Sequence, residues 1–167
     1  YGNYLRNVLQ TLVTEHKLSL PMWDMHIGYG SDILTTLHYY AIGDPLTLLS
    51  VFVPEKDTEI LYEILIFLRI YLAGITFSIY CFYRKNPKQA FMGTMIYIFA
   101  GWTIYAAMKH PYFSNPMIYL PLVLMGIEKI YKKEKPYLFI CATAVAAMSS
   151  FYFFYMISIF MVLYAAF

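Results

Sequence analysis

A chain of 167 residues that is 60% hydrophobic, 20% aromatic and only 13% charged lies outside the range of ordinary soluble domains and inside that of polytopic membrane proteins. The net charge of +2 is small, but its layout is uneven: most acids precede residue 64 and most bases follow residue 83. No basic, aromatic-interleaved face forms outside short loops, which argues against nucleic acid as a partner. Cys81 and Cys141 both sit in apolar runs and read as small buried hydrophobes rather than as a disulfide or metal pair. The first residue is not Met and the last lies in an apolar run, so the chain reads as a piece of a longer protein.

Apolar residues at Tyr1, Tyr4, Leu5, Val8, Leu9, Leu12 and Val13 follow helical spacing and predict an amphipathic helix over 1–18, suited to lying in the membrane interface. A polar loop follows from Pro21 to Pro45, with Asp24, Asp32, Asp44, His26, His38 and turn-forming glycines. Ser31 or Asp32 can cap a short helix over 33–42 closed by Gly43, and Asp44-Pro45 is a second start signal, for a short apolar helix or re-entrant segment over 46–53. Residues 1–57 together read as a first extracytoplasmic loop region.

Four apolar runs come next, over 58–83, 89–108, 117–131 and 137–167, the first long enough to cross the ~30 Å hydrocarbon layer. The last is too long for one upright helix and short for two; Ser149-Ser150 marks either a break or the middle of a long tilted helix. Bases at 84–88 and 129–135 place residues 84–88 and 132–136 in the cytoplasm by the positive-inside rule. Residues 1–57 and the turn 109–116 then fall outside, so two distant polar stretches emerge on one membrane face.

The residues that resist a purely structural reading are few. Asp24 has no helix start beside it, whereas Asp32 and Asp44 double as caps. Arg69, halfway along the first span, needs a partner or a polar cavity at that depth, and guanidinium suits phosphate oxygens; a salt bridge to Glu63 or to another helix's acid is the structural alternative. His110, before Pro111 at an outer edge, can hydrogen-bond a phosphate or simply be solvated. Asn115 before Pro116 can serve a substrate or start the next helix. His26 and His38 lack zinc-site spacing, and the aspartates lack a calcium-loop pattern. Unexplained carboxylates outside and cationic groups at lipid depth suit group transfer from a lipid-linked donor, the carboxylate taking a proton and the cations holding the departing phosphate.

The blocks PMWDMHIGYGSD, HYYAIGDPLTLLSVFVP, LRIYLAGITFSIY, HPYFSNPMIYLPLVLMGIEK and SSFYFFYM resemble the N-terminal part of the bacterial YfhO-like membrane proteins, across almost the whole chain. The resemblance implies a GT-C type membrane glycosyltransferase: an all-α bundle of many transmembrane helices in the bacterial plasma membrane, with the catalytic Asp in a first extracytoplasmic loop. The implied donor is a polyprenyl-phosphate sugar, and the acceptor a cell-surface polymer such as teichoic acid, or a glycolipid. By that analogy Asp24 or Asp32 is the general base, Arg69 and His110 contact the donor phosphate, and His38, Tyr40, Asp44 and Asn115 line the donor or substrate side. Some enzymes of this superfamily use a divalent cation near the acidic loop and others do not, so the cofactor is left open. A fragment lacking the first transmembrane helix and later helices is expected to be inactive alone. The competing class is a transporter or lipid flippase, which calls for charges deep in several helices; here they cluster at one outer face, Arg69 excepted.

Overall fold

Helical periodicity dominates the structure as it does the sequence: in a computed structural model describing residues 23–25, 30–32 and 43–167, the backbone is helical apart from turns and one short ladder. The chain divides into two units, Tyr1–Leu65 and Ile66–Phe167. The amphipathic helix expected over 1–18 and the short helix expected over 33–42 lie outside the described residues.

In the first unit, strand β1 (Trp23–Asp24) pairs antiparallel with β2 (Ser31–Asp32), Trp23 opposite Asp32 and Asp24 opposite Ser31. Ser31 and Asp32 are thus strand residues, and the helix over 33–42 that either was expected to cap lies outside the described residues. Gly30 leads into β2 with φ +98°, and a Cβ there would meet Met25 Sδ at 3.0 Å and Trp23 Nε1 at 3.2 Å; only glycine suits both the angle and the space. Further on, Asp44 Oδ1 accepts from the Leu46 N–H at 3.1 Å and Oδ2 from the Thr47 hydroxyl at 2.6 Å. That start signal opens a 3-10 helix over Thr47–Phe52. Pro45 and Pro54 bound the run, leaving too few residues for a stable α-helical nucleus.

A second 3-10 turn, Glu55–Asp57, leads into α1 (Thr58–Tyr83), the one described helix long and apolar enough to cross a membrane. Then come α2 (Pro87–Ile98), α3 (Gly101–Lys109), a 3-10 turn (Pro111–Ser114), α4 (Asn115–Tyr131), α5 (Tyr137–Ser149) and α6 (Phe151–Ala166). The single helix expected over 89–108 is two. Ala100 turns extended at ψ 144°, and Thr103 Oγ1 takes up the Tyr97 carbonyl at 3.3 Å. The last apolar run is likewise divided, by Ser150 at φ −163° and ψ 116°.

Helices α1 and α4 end alike. Lys85 N–H bonds Phe82 O and Asn86 N–H bonds Cys81 O; Lys133 N–H bonds Ile130 O and Glu134 N–H bonds Lys129 O. Both are Schellman motifs, with the left-handed residue at φ 59° supplied by Lys85 and at φ 58° by Lys133, where glycine is usual.

The second unit is built around α4. Its Val123, Leu124 and Ile127 bury against Ala142 of α5, with Phe139, Tyr80, Met161 and Tyr164 closing over them. Gly126 lets the two backbones meet: a Cβ there would stand 2.7 Å from Phe139 Cα. Against α1, α2 stacks Tyr97 on Phe77 with ring centroids 4.4 Å apart, and Ser78 bonds Thr94 at 2.9 Å. Pro121 lies inside α4 and has no N–H, so the Met117 carbonyl one turn back loses its helical donor. The Tyr97 hydroxyl fills that vacancy, donating to Met117 O at 2.9 Å. On the far side of α1, Ile64, Phe67, Tyr71, Ile75, Ile79 and Phe82 form an exposed apolar stripe at helical spacing.

Tyr97→Phe is expected to destabilise the second unit by about 1–2 kcal/mol, because it strands the Met117 carbonyl. In a Pro121→Ala background the restored N–H takes over that carbonyl, and the same change should cost about 1 kcal/mol less. Thermal unfolding of the four proteins of this cycle in detergent measures the coupling.

Candidate functional site

Arg69, roughly halfway along α1, is 2% exposed. A guanidinium keeps its charge at any accessible pH, so burial has to be met by hydrogen bonding rather than by losing a proton. Its Nε donates to Asn115 Oδ1 at 2.9 Å, and Asn115 Nδ2 donates onward to Ser149 Oγ at 3.2 Å. Asn115 is the first residue of α4 and Ser149 the last of α5, so the relay joins three helices. An amide carries an acceptor and a donor on separate atoms, so it can accept from an arginine and donate to a hydroxyl at once. Of the two sequence readings of Asn115 the helix start is seen: α4 begins there, with Pro116 in the first turn where no N–H is needed, and its side chain is engaged with Arg69 and Ser149.

Glu63, the alternative ion-pair partner, is exposed and makes no ion pair with Arg69. Its offset along the helix is neither three nor four residues, so the two side chains leave α1 on different faces. Beside the relay, the Ser114 hydroxyl is buried with no hydrogen-bond partner among the described residues. A small cleft opens between Asn115 and Ser149 at its polar end and Tyr119, Phe153, Phe154 and Ile157 along its apolar wall.

The remaining candidates are placed as follows. His110 is exposed at the end of α3, its Nδ1 3.1 Å from the Tyr112 hydroxyl and its ring against Phe113. Asp44 is buried and caps its own turn. Asp24 and Asp32 occupy the ladder of the first unit without being a directly opposed pair. His26, His38 and Tyr40 lie outside the described residues. Among the described residues no three His, Cys, Asp or Glu side chains group as a metal site.

A family model described as bacterial membrane protein YfhO matches residues 4–167. The chain belongs to the YfhO family. A curated relative, the uncharacterized protein YfhO of Bacillus subtilis (strain 168), is 28% identical over a match that takes in 87% of this chain and 18% of the relative. The chain therefore spans less than a fifth of that relative's length. No solved structure matches it.

This YfhO-family chain has a second polar cluster that sequence reasoning missed. Glu128, in an apolar stretch of α4 and 8% exposed, accepts at Oε1 from Arg84 Nη1 at 2.8 Å and from the Tyr164 hydroxyl at 2.5 Å. Tyr80 bonds Tyr164 at 3.0 Å and completes the group. Glu128 in turn raises the pKa of Arg84 above its ordinary value. The only hint in the sequence is an acid just before a basic run; that it turns inward depends on Tyr80 and Tyr164, far away in the chain. Ser149 was legible as a breaker and not as an acceptor.

Asn115→Ala is expected to cost about 3 kcal/mol by leaving Arg69 Nε buried without its acceptor. Ser149→Ala, which removes only the outer acceptor of a neutral amide, should cost about 1 kcal/mol. Denaturant titration of the purified variants checks the order; equal costs would mean that the relay is not organised around Arg69.

Proposed function

We propose that this chain belongs to a polytopic membrane glycosyltransferase of GT-C type, one that moves a sugar from a polyprenyl-phosphate donor to an extracytoplasmic cell-surface polymer or glycolipid. The observation that carries the reading is Arg69: a permanent cation buried in a membrane protein and oriented through Asn115 by Ser149. Holding a guanidinium by Nε fixes its plane, which is the property that makes arginine a good phosphate ligand. The N-terminus of α4 begins at the same place and α6 begins just after Ser149, both adding positive ends that favour an anion. The orphan Ser114 hydroxyl adds a donor beside the cleft that Asn115 and Ser149 border.

In this reading α1 and the later apolar helices span the bilayer. Residues 1–57 and 109–116 face outward, while 84–88 and 132–136 face the cytoplasm, as the basic residues direct. An acceptor hydroxyl attacks the anomeric carbon, the bond from that carbon to the phosphate oxygen breaks, and polyprenyl phosphate leaves with the bonding pair. Asp24 or Asp32 takes the hydroxyl proton, and Arg69, with His110 at the rim, stabilises the charge that grows on the phosphate.

The test is sugar transfer by the full-length protein in membranes supplied with polyprenyl-phosphate sugar. Arg69→Lys should lower kcat/KM by about 100-fold, since a point charge replaces an oriented fork. Of Asp24→Asn and Asp32→Asn, the one that removes the base should lower kcat by about 10²–10⁴-fold with donor binding retained. Full activity in both aspartate variants would remove the loop from the chemistry. Movement of the lipid between leaflets without transfer would replace the enzyme by a flippase.

A further inference from the structure

The two basic loops of the second unit form one surface. Arg84, at the end of α1, pairs with Glu128 of α4 at 2.8 Å, and the Tyr83 hydroxyl reaches Glu134 at 3.4 Å. Lys132 stands 4.0 Å from the centroid of the Tyr83 ring. These contacts hold the start of the 84–88 loop against the 132–136 loop. They also use up the acids, Glu128 on Arg84 and Glu134 on Lys129 at 3.4 Å. What remains facing outward is Lys85, Lys88, Lys132, Lys133 and Lys135, all exposed, with Phe82, Tyr131 and Tyr137 exposed beside them. Exposed aromatic rings next to lysines mark the depth at which a membrane protein meets headgroups.

Backbone strain singles out two of the lysines. Lys85 and Lys133 occupy the left-handed position of their Schellman motifs at φ 59° and φ 58°, where a side chain is disfavoured and glycine is the ordinary solution. The negative end of the helix macrodipole favours a cation in the last turn, and an exposed lysine at the cap itself also places its ammonium group at the helix end, facing outward.

We propose that this lysine rim is a binding surface for anionic phospholipid headgroups, with Lys85 and Lys133 held in strained caps to present their ammonium groups to lipid phosphates. The net positive rim, the aromatic residues flanking it and the family's membrane setting together fit a bilayer surface carrying negative headgroups. The role is separate from the Arg69 relay, which lies about 21 Å away along α1.

The left-handed geometry supplies an unusual test, because replacing these lysines with glycine relieves the cap while removing the charge. The full-length protein is placed in nanodiscs of phosphatidylcholine with and without phosphatidylglycerol, and bound lipid is counted by native mass spectrometry alongside the thermal midpoint. Lys85→Gly with Lys133→Gly should keep or raise the midpoint in pure phosphatidylcholine. Its selectivity for phosphatidylglycerol should fall by about fivefold for each lysine removed. Lys85→Arg with Lys133→Arg should keep the selectivity. Should the glycine pair fail to fold, Lys88→Gln with Lys135→Gln, outside the strained positions, carries the same expectation. Unchanged selectivity in the neutralised proteins overturns the proposal, as does displacement of phosphatidylglycerol from the rim by a short oligonucleotide at equal charge.

Discussion

A guanidinium cannot discharge itself, and that constraint organises the second unit. Most ionisable side chains pushed into an apolar setting escape by taking or losing a proton; arginine has no such route. Arg69 can therefore stay buried only if the fold brings it acceptors, and one of them is the amide that opens α4. That amide is in turn fixed by the residue that closes α5. The start of one helix and the end of another are thus set by the needs of a charge on a third.

Polar groups at the C-terminal end of α1 repeat the device with the signs exchanged. There the buried charge is the carboxylate of Glu128, reached by Arg84 and by the Tyr164 hydroxyl, which itself bonds Tyr80. Between the two clusters most contacts are apolar or close backbone approaches, such as Gly126 against Phe139, joined by the Ser78–Thr94 bond and the Tyr97 bond to Met117 O. Apolar packing in lipid gives little directional preference, so it is the hydrogen-bonded ends that fix the register of α1 against α4.

Much of this was legible in residue order and much was not. Apolar periodicity gave the helical class, and Asp44-Pro45 gave its capped turn. The family likeness could be read from short blocks and is met by a match over residues 4–167. The two-residue ladder and the division of 89–108 escaped notice: glycine and alanine at 100–101 are as compatible with a helix as with a break, and the outcome rests on Thr103 and Tyr97. Ser149-Ser150 left a break and a continuous helix equally open until the Asn115 bond to Ser149 was visible. The relays could not be read because their members are 46, 34, 44 and 36 residues apart. Sequence spacing reports neighbours within one helix; which helices meet is decided by packing.

Helix length carries a last consequence. In the membrane arrangement proposed above, α5 with 13 residues, α6 with 16 and α4 with 17 rise about 20, 24 and 26 Å, against the ~30 Å of a hydrocarbon core. A bilayer meeting such short elements adapts by thinning around them, at a fraction of a kcal/mol per ångström of mismatch. Lipid phosphates drawn inward by that dimple would travel a shorter distance to the level of Arg69, so the protein would shape its solvent to bring a headgroup to a charge that cannot come out to meet it.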